Sequence, residues 1–143
     1  MSMTATARWL DGERFLTEAD SGHALVADAD HERNSGPSPV ELVLMGLCGC
    51  TASDVVTILR KKRQAVRAVT VSAEAERAES PPRVFTRIHL VYRVAGQGVE
   101  RKAAEDAVRL SRDKYCSVSR MLEASAAISH EIILVEAEAT AHA

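Results

Sequence analysis

The chain has 143 residues, of which 46% are apolar and 27% charged, with a formal net charge of −2; this suits one soluble domain, or one subunit of a tight oligomer. The slightly acidic balance argues against a general nucleic-acid binder, no apolar run is expected to reach the roughly 18 residues of a membrane span, and residues 1–8 lack the apolar stretch of a secretory signal. A reducing cytoplasm is the expected setting, in which three cysteines are free thiols rather than a disulfide framework.

Thr4, Thr6 and Arg8, then Phe15 and Thr17, then His23, Leu25 and Ala27 alternate as short strands around Asp11-Gly12 and Ser21-Gly22 turns. Asp28 to Ser38 is polar and turn-rich, hence a loop. A helix follows with a clear start: Ser38 is a good N-cap, Pro39 takes the first helical position and Glu41 completes a capping box. From Val40 to Leu59 this helix is apolar nearly all round in its first half (Leu42, Val43, Leu44, Met45, Leu47), so it should be buried on every side. The run Arg60 to Arg63 suits a helix C-terminus, where cations complement the macrodipole.

Val66 to Glu76 and Val84 to Tyr92 alternate as two neighbouring strands joined by a Ser80-Pro81-Pro82 turn. Glu100 to Ser111 reads as an amphipathic helix and Ser117 to Ala127 as another, and Ile132 to Val135 closes as a strand. The order is strands, long buried helix, two strands, two helices, strand. The expected architecture is a single α+β domain over residues 1–143, with another subunit covering part of the central helix.

The cysteines carry the chemistry. On a regular helix Cys48 and Cys50 point about 200° apart, so they do not form a metal clip. Cys50 shares a face with Asp54 one turn on, and Gly46 and Gly49 leave room beside the helix. A carboxylate near a thiol opposes thiolate formation, so an activating cation has to come from elsewhere. Cys116 stands at a helix start, where amide dipoles are expected to lower a thiol's pKa. Composition alone also allows all three to be small apolar core residues. His23 and His89 read as surface or satisfied residues.

Three segments, Gly36-Pro37-Ser38-Pro39-Val40-Glu41-Leu42, Gly49-Cys50-Thr51 with Asp54-Val55-Val56, and Lys114-Tyr115-Cys116-Ser117-Val118, resemble the osmotically inducible protein C family. That family includes the organic hydroperoxide resistance proteins, and the likeness is closest to its small YhfA-like bacterial branch. The resemblance implies an intertwined α+β homodimer with sites at the subunit interface. It implies that Cys50 attacks an organic hydroperoxide, that Cys116 resolves the sulfenic acid as a Cys50–Cys116 disulfide, and that a dithiol, lipoyl-type in part of the family, reduces it. No metal, haem, flavin or other cofactor is implied, and neither nucleic acid nor membrane is a partner.

The chain departs from the family in two places. Val40 stands where hydroperoxide-reducing members carry a glutamate, with Glu41 about 100° further round the helix. The family's active-site arginine is also unmatched, Arg8, Arg14 and Arg33 sitting in no recognisable motif. The leading expectation is a thiol peroxidase in oxidative-stress defence. The alternative is a non-catalytic redox-sensing or small-ligand-binding protein.

Overall fold

In the computed structural model residues 1–137 are described, and they divide into two compact units, Met1–Met45 and the segment from Gly46 onward. The first unit is an antiparallel meander of β1 (Ala5–Asp11), β2 (Arg14–Ala19) and β3 (Ala24–Asp28). The two expected turns hold Gly12 and Gly22 at φ of 47° and 88°, a region open to glycine at little cost.

The polar segment after β3 is organised by Asp28. Its carboxylate accepts from the Asp30 amide at 2.9 Å, the Ser35 amide at 3.1 Å and the Ser35 hydroxyl at 2.5 Å, and the Ser35 hydroxyl bond leads the effects that hold its pKa below the usual carboxylate range. Gly36 opens the Gly-Pro-Ser-Pro run because a side chain there would collide with the Val26 carbonyl. The capping box forms as expected: the Ser38 amide donates to Glu41 Oε1 at 2.8 Å and the Glu41 amide to Ser38 Oγ at 3.2 Å. Arg14 and Arg33 both pair with Asp11, at 2.8 and 2.7 Å. In this unit Ala27 is the one buried apolar side chain among the described residues, whereas Trp9 is 65% exposed.

Helix α1 (Pro39–Lys61) begins in the first unit and runs through the second. It closes with a tight Schellman arrangement in which the Gln64 amide donates to the Leu59 carbonyl and the Arg63 amide to the Arg60 carbonyl, with Arg63 at φ 58°. Lys62 from the basic run reaches Asp106 at 3.6 Å. Only Leu47, Thr51, Val55 and Leu59, a stripe of every fourth residue, are buried along its 23 residues, while Val43 and Met45 are exposed. One expectation is corrected here. The helix is long and apolar enough, by length and composition, to cross a membrane, because its first half is apolar all round. Within the single chain it is buried along one stripe only; the expected burial on every side relied in part on another subunit.

The second unit continues with β4 (Ala65–Arg77) and β5 (Phe85–Gln97), an antiparallel pair, and β6 (Ala127–Glu136), which lies parallel to β5 and gives the order β4-β5-β6. A parallel neighbour requires a crossover; here it carries α2 (Arg101–Leu110) and α3 (Ser117–Leu122). Central β5 buries alternate residues, Ile88, Leu90, Tyr92 and Val94, and α2 buries Ala103, Ala104, Ala107 and Val108. The small alanines let that helix approach closely where aromatic residues are scarce. Three boundaries of this unit differ from expectation by several residues. Strand β5 runs on beyond Tyr92 to Gln97. The helix expected to reach Ala127 stops at Leu122, and the last strand begins at Ala127 rather than Ile132, because pairing along β5 extends the strand beyond its most apolar run.

Candidate functional site

The site is assembled by a change of helical pitch. After Leu110, α2 does not end but widens into a π turn, Ser111–Tyr115, in which the Cys116 amide donates to the Ser111 carbonyl at 2.7 Å. Such single π turns cluster at functional sites. This one buries the Ser111 side chain completely and delivers Cys116 as the N-cap of α3.

Ser111 is the hub of a chain of side-chain hydroxyls. Its Oγ donates to Asp54 Oδ2 at 2.8 Å and lies 3.1 Å from Thr51 Oγ1, which is 2.7 Å from the Tyr92 hydroxyl. Thr51 and Tyr92 are each 2% exposed, so the loss of one hydroxyl would strand its neighbours at a cost of about 1–3 kcal/mol. The network ties α1, β5 and the π turn together. No buried side-chain nitrogen or oxygen among the described residues lacks a partner.

Cys50 and Asp54 are neighbours at i and i+4, each one position before a residue of the buried stripe of α1. The Sγ atoms of Cys50 and Cys116 and a carboxylate oxygen of Asp54 all lie within 4.8 Å of one another. The two thiols that the sequence singled out therefore meet, and Asp54 meets both. Cys48 takes no part in this cluster, as its helical angle predicts. Burial pushes its thiol pKa up.

The expectation that a helix start would lower the Cys116 pKa is corrected. Ser119 does favour the thiolate, its amide donating to Sγ at 3.4 Å. Burial outweighs it, and the adjoining Cys50 thiol adds to the upward push. Cys116 is only 3% exposed and α3 is six residues long, so desolvation of the charged form exceeds what so short a helix supplies.

Of the arginines considered from the sequence, Arg14 and Arg33 hold Asp11 within the first unit, and Arg8 lies exposed on β1. The cations close to Cys116 are Arg112, Lys114 and Arg120, which line a cavity of about 350 Å³ with it. Arg112 makes no ion pair among the described residues, and its charge reaches both Tyr92 and His130. A second cavity, of about 380 Å³, opens on Asp54, Ile58, Leu110 and Tyr115. Sequence reasoning missed Arg112, Ser111 and Tyr92. The signal for Arg112 was its place four residues before Cys116, which acquires meaning only with the π turn. His89 bonds Ser129 at 2.8 Å and is a satisfied surface residue. His23 lines a depression of about 570 Å³ on the first unit's strands that contains no thiol.

The family model for OsmC-like proteins matches residues 31–131. The chain is 44% identical over 135 residues to Protein YhfA of Escherichia coli, covering 94% of this chain and 100% of that protein. It is also similar to a hypothetical protein of Aquifex aeolicus, at 30% identity and a TM-score of 0.87 over 96% of this chain and 99% of that one. At 17% identity the organic hydroperoxide resistance protein OhrB of Bacillus subtilis shares the fold, with a TM-score of 0.62 over 92% and 98% of the two chains.

The difference in burial between the thiols sets an order of reaction. On titration of the reduced protein with iodoacetamide at pH 7.5, half-buried Cys50 should alkylate first and Cys116 roughly tenfold or more slowly. The Cys116 rate should keep rising above pH 9, since a raised pKa postpones thiolate formation to higher pH. Peptide mapping that finds Cys116 modified first at pH 7.5 contradicts this environment.

Proposed function

The chain belongs to the OsmC-like protein family, and we propose that it works there as a thiol-dependent peroxidase, reducing small organic hydroperoxides as a homodimer in the reducing cytoplasm. The observation that carries this reading is the approach of the Cys50 and Cys116 sulfurs to within 4.8 Å of each other and of Asp54. A thiol pair held this way can pass from dithiol to disulfide with a local adjustment. Likeness to an organic hydroperoxide resistance protein points the same way.

In the first step the Cys50 thiolate attacks the terminal peroxide oxygen. The O–O bond breaks, Cys50 becomes a sulfenic acid, and the alkoxide leaves as alcohol after taking a proton. Asp54 is placed to accept the proton that Cys50 loses and to return it to the alkoxide. Arg112, facing the cavity at Cys116, supplies the positive potential that the sequence left unassigned. In the second step the Cys116 sulfur displaces hydroxide from the sulfenic acid, releasing water and forming the disulfide. A dithiol of lipoyl type then gives two electrons and two protons, restoring both thiols. The two depressions flanking the cluster give the alkyl group and the reductant separate approaches.

The homodimer reading draws on exposed apolar surface. A three-stranded sheet with one buried apolar side chain is marginal by itself, and α1 leaves Val43 and Met45 exposed. A second copy covering these surfaces turns an apolar helix of membrane-span length into a core helix. Sedimentation equilibrium should give a dimer at micromolar concentration; a stable monomer would remove this part of the reading.

One observation favours slower chemistry or a sensing role. Glu41 is engaged in the capping box, and its hydrogen bonds to Ser38 hold its carboxyl below the usual range, so it does not stand in for the family glutamate absent at Val40. Turnover decides between the two. With cumene hydroperoxide and dihydrolipoamide, the wild type should consume peroxide catalytically. Cys50→Ser should abolish consumption, Cys116→Ser should stop after one equivalent, and Arg112→Ala should slow Cys50 oxidation about tenfold. Wild-type turnover no faster than that of Cys50→Ser leaves the sensor or binder.

A further inference from the structure

The same cluster also has a composition that a cation would complement. An ionised carboxylate beside a thiol opposes the resting thiolate, since like charges repel, whatever part it plays in relaying a proton. Asp54 nevertheless has no ion-pair partner among the described residues, and Ser111 fixes its orientation through Oδ2 at 2.8 Å. Oδ1 has no hydrogen-bond partner among the described residues. Two sulfurs and one carboxylate oxygen converge within 4.8 Å, drawn from two elements that the hydroxyl network holds together.

We propose that in the reduced protein Cys50, Cys116 and Asp54 form a three-donor site for a thiophilic divalent cation of the Zn²⁺ type. The donor set fits such an ion. Two thiolates select soft or borderline metals over Ca²⁺ and Mg²⁺, and a carboxylate is a common third ligand to zinc. With Zn–S near 2.3 Å and Zn–O near 2.0 Å, donors of a tetrahedral site stand roughly 3.5–3.8 Å apart, so the atoms need close by only about an ångström. Cys50 and Asp54 form an i, i+4 pair on one helical face, a spacing that presents two ligands to one ion. Ser111 is the outer-shell partner that orients the carboxylate. Three protein donors leave the fourth position to water or a small ligand.

Binding displaces a proton from each thiol and ties up both sulfurs, so the metal-bound form is closed to hydroperoxide. Oxidation to the Cys50–Cys116 disulfide removes two of the three donors. Metal occupancy and disulfide are thus alternative states of one site. This exclusion rests on the redox reading above, whereas metal binding by the reduced protein does not.

The test titrates the fully reduced, full-length protein with Zn²⁺ alone, in competition with a chromophoric chelator, and repeats it with Co²⁺ to look for thiolate-to-metal charge-transfer absorption. One ion should bind per chain, with charge-transfer absorption. Cys50→Ser and, separately, Cys116→Ser should weaken binding at least a hundredfold, and Asp54→Asn and Ser111→Ala about ten- to a hundredfold, with circular dichroism checking the fold of each variant. Alkylation of native wild type at Cys50 provides the same loss without mutation. Absence of stoichiometric binding to the reduced wild type overturns the proposal, as does binding that survives loss of either thiol. Unchanged affinity in Asp54→Asn overturns the three-donor assignment. Zinc binding without peroxide turnover would end the peroxidase reading and leave this one standing.

Discussion

The hydrogen bond from the Cys116 amide to the Ser111 carbonyl, spanning five residues instead of four, is the constraint on which the site depends. A regular helical continuation would have moved Ser111 and Cys116 to other faces. The wider turn makes one residue the buried hub of a hydroxyl network and the other the cap of the next helix. Thr51 and Asp54 then fix α1 against it through Ser111, and Cys50 comes with them. The thiol pair follows from a backbone irregularity held by buried hydroxyls.

This arrangement divides labour between the sulfurs. Cys50 is half-buried, and Cys116 is enclosed at a helix start, with its thiol pushed toward the neutral form by burial. A half-buried attacking sulfur and an enclosed partner suit a sequence in which the oxidant meets one and the second acts only after the first has reacted. The basic residues gathered around the Cys116 cavity supply a field opposite in sign to that of Asp54. Its effect depends on where charge resides at each stage.

Much of the fold was legible because local chemistry and the final structure agree. Ser38, Pro39 and Glu41 specify the helix start, and the capping box closes as those residue types require. The alternation of Val71, Ala73 and Ala75 against Tyr92, Leu90 and Ile88 specifies the hairpin. The pairing of Cys50 with Cys116 was legible only through resemblance, since no periodicity links residues so far apart. The π turn left no mark, because Ser-Arg-Asp-Lys-Tyr has no composition that separates it from ordinary helix. Arg112 and Ser111 were hidden with it. Thermodynamic competition at Cys116 was also illegible, because the helix dipole can be read from sequence but the degree of burial cannot. The surfaces that α1 and the first unit leave exposed express the same limit at another scale: the sequence shows that apolar area must be covered, not what covers it.

The central claim is that Cys50 and Cys116 act as one redox pair. Its most direct test adds one equivalent of cumene hydroperoxide to the reduced protein, followed by acid quenching and peptide mapping by mass spectrometry. A Cys50–Cys116 disulfide should form rapidly, with Cys48 still free and no such linkage in Cys50→Ser. Two thiols that remain free, or a disulfide that engages Cys48 instead, would contradict the central claim.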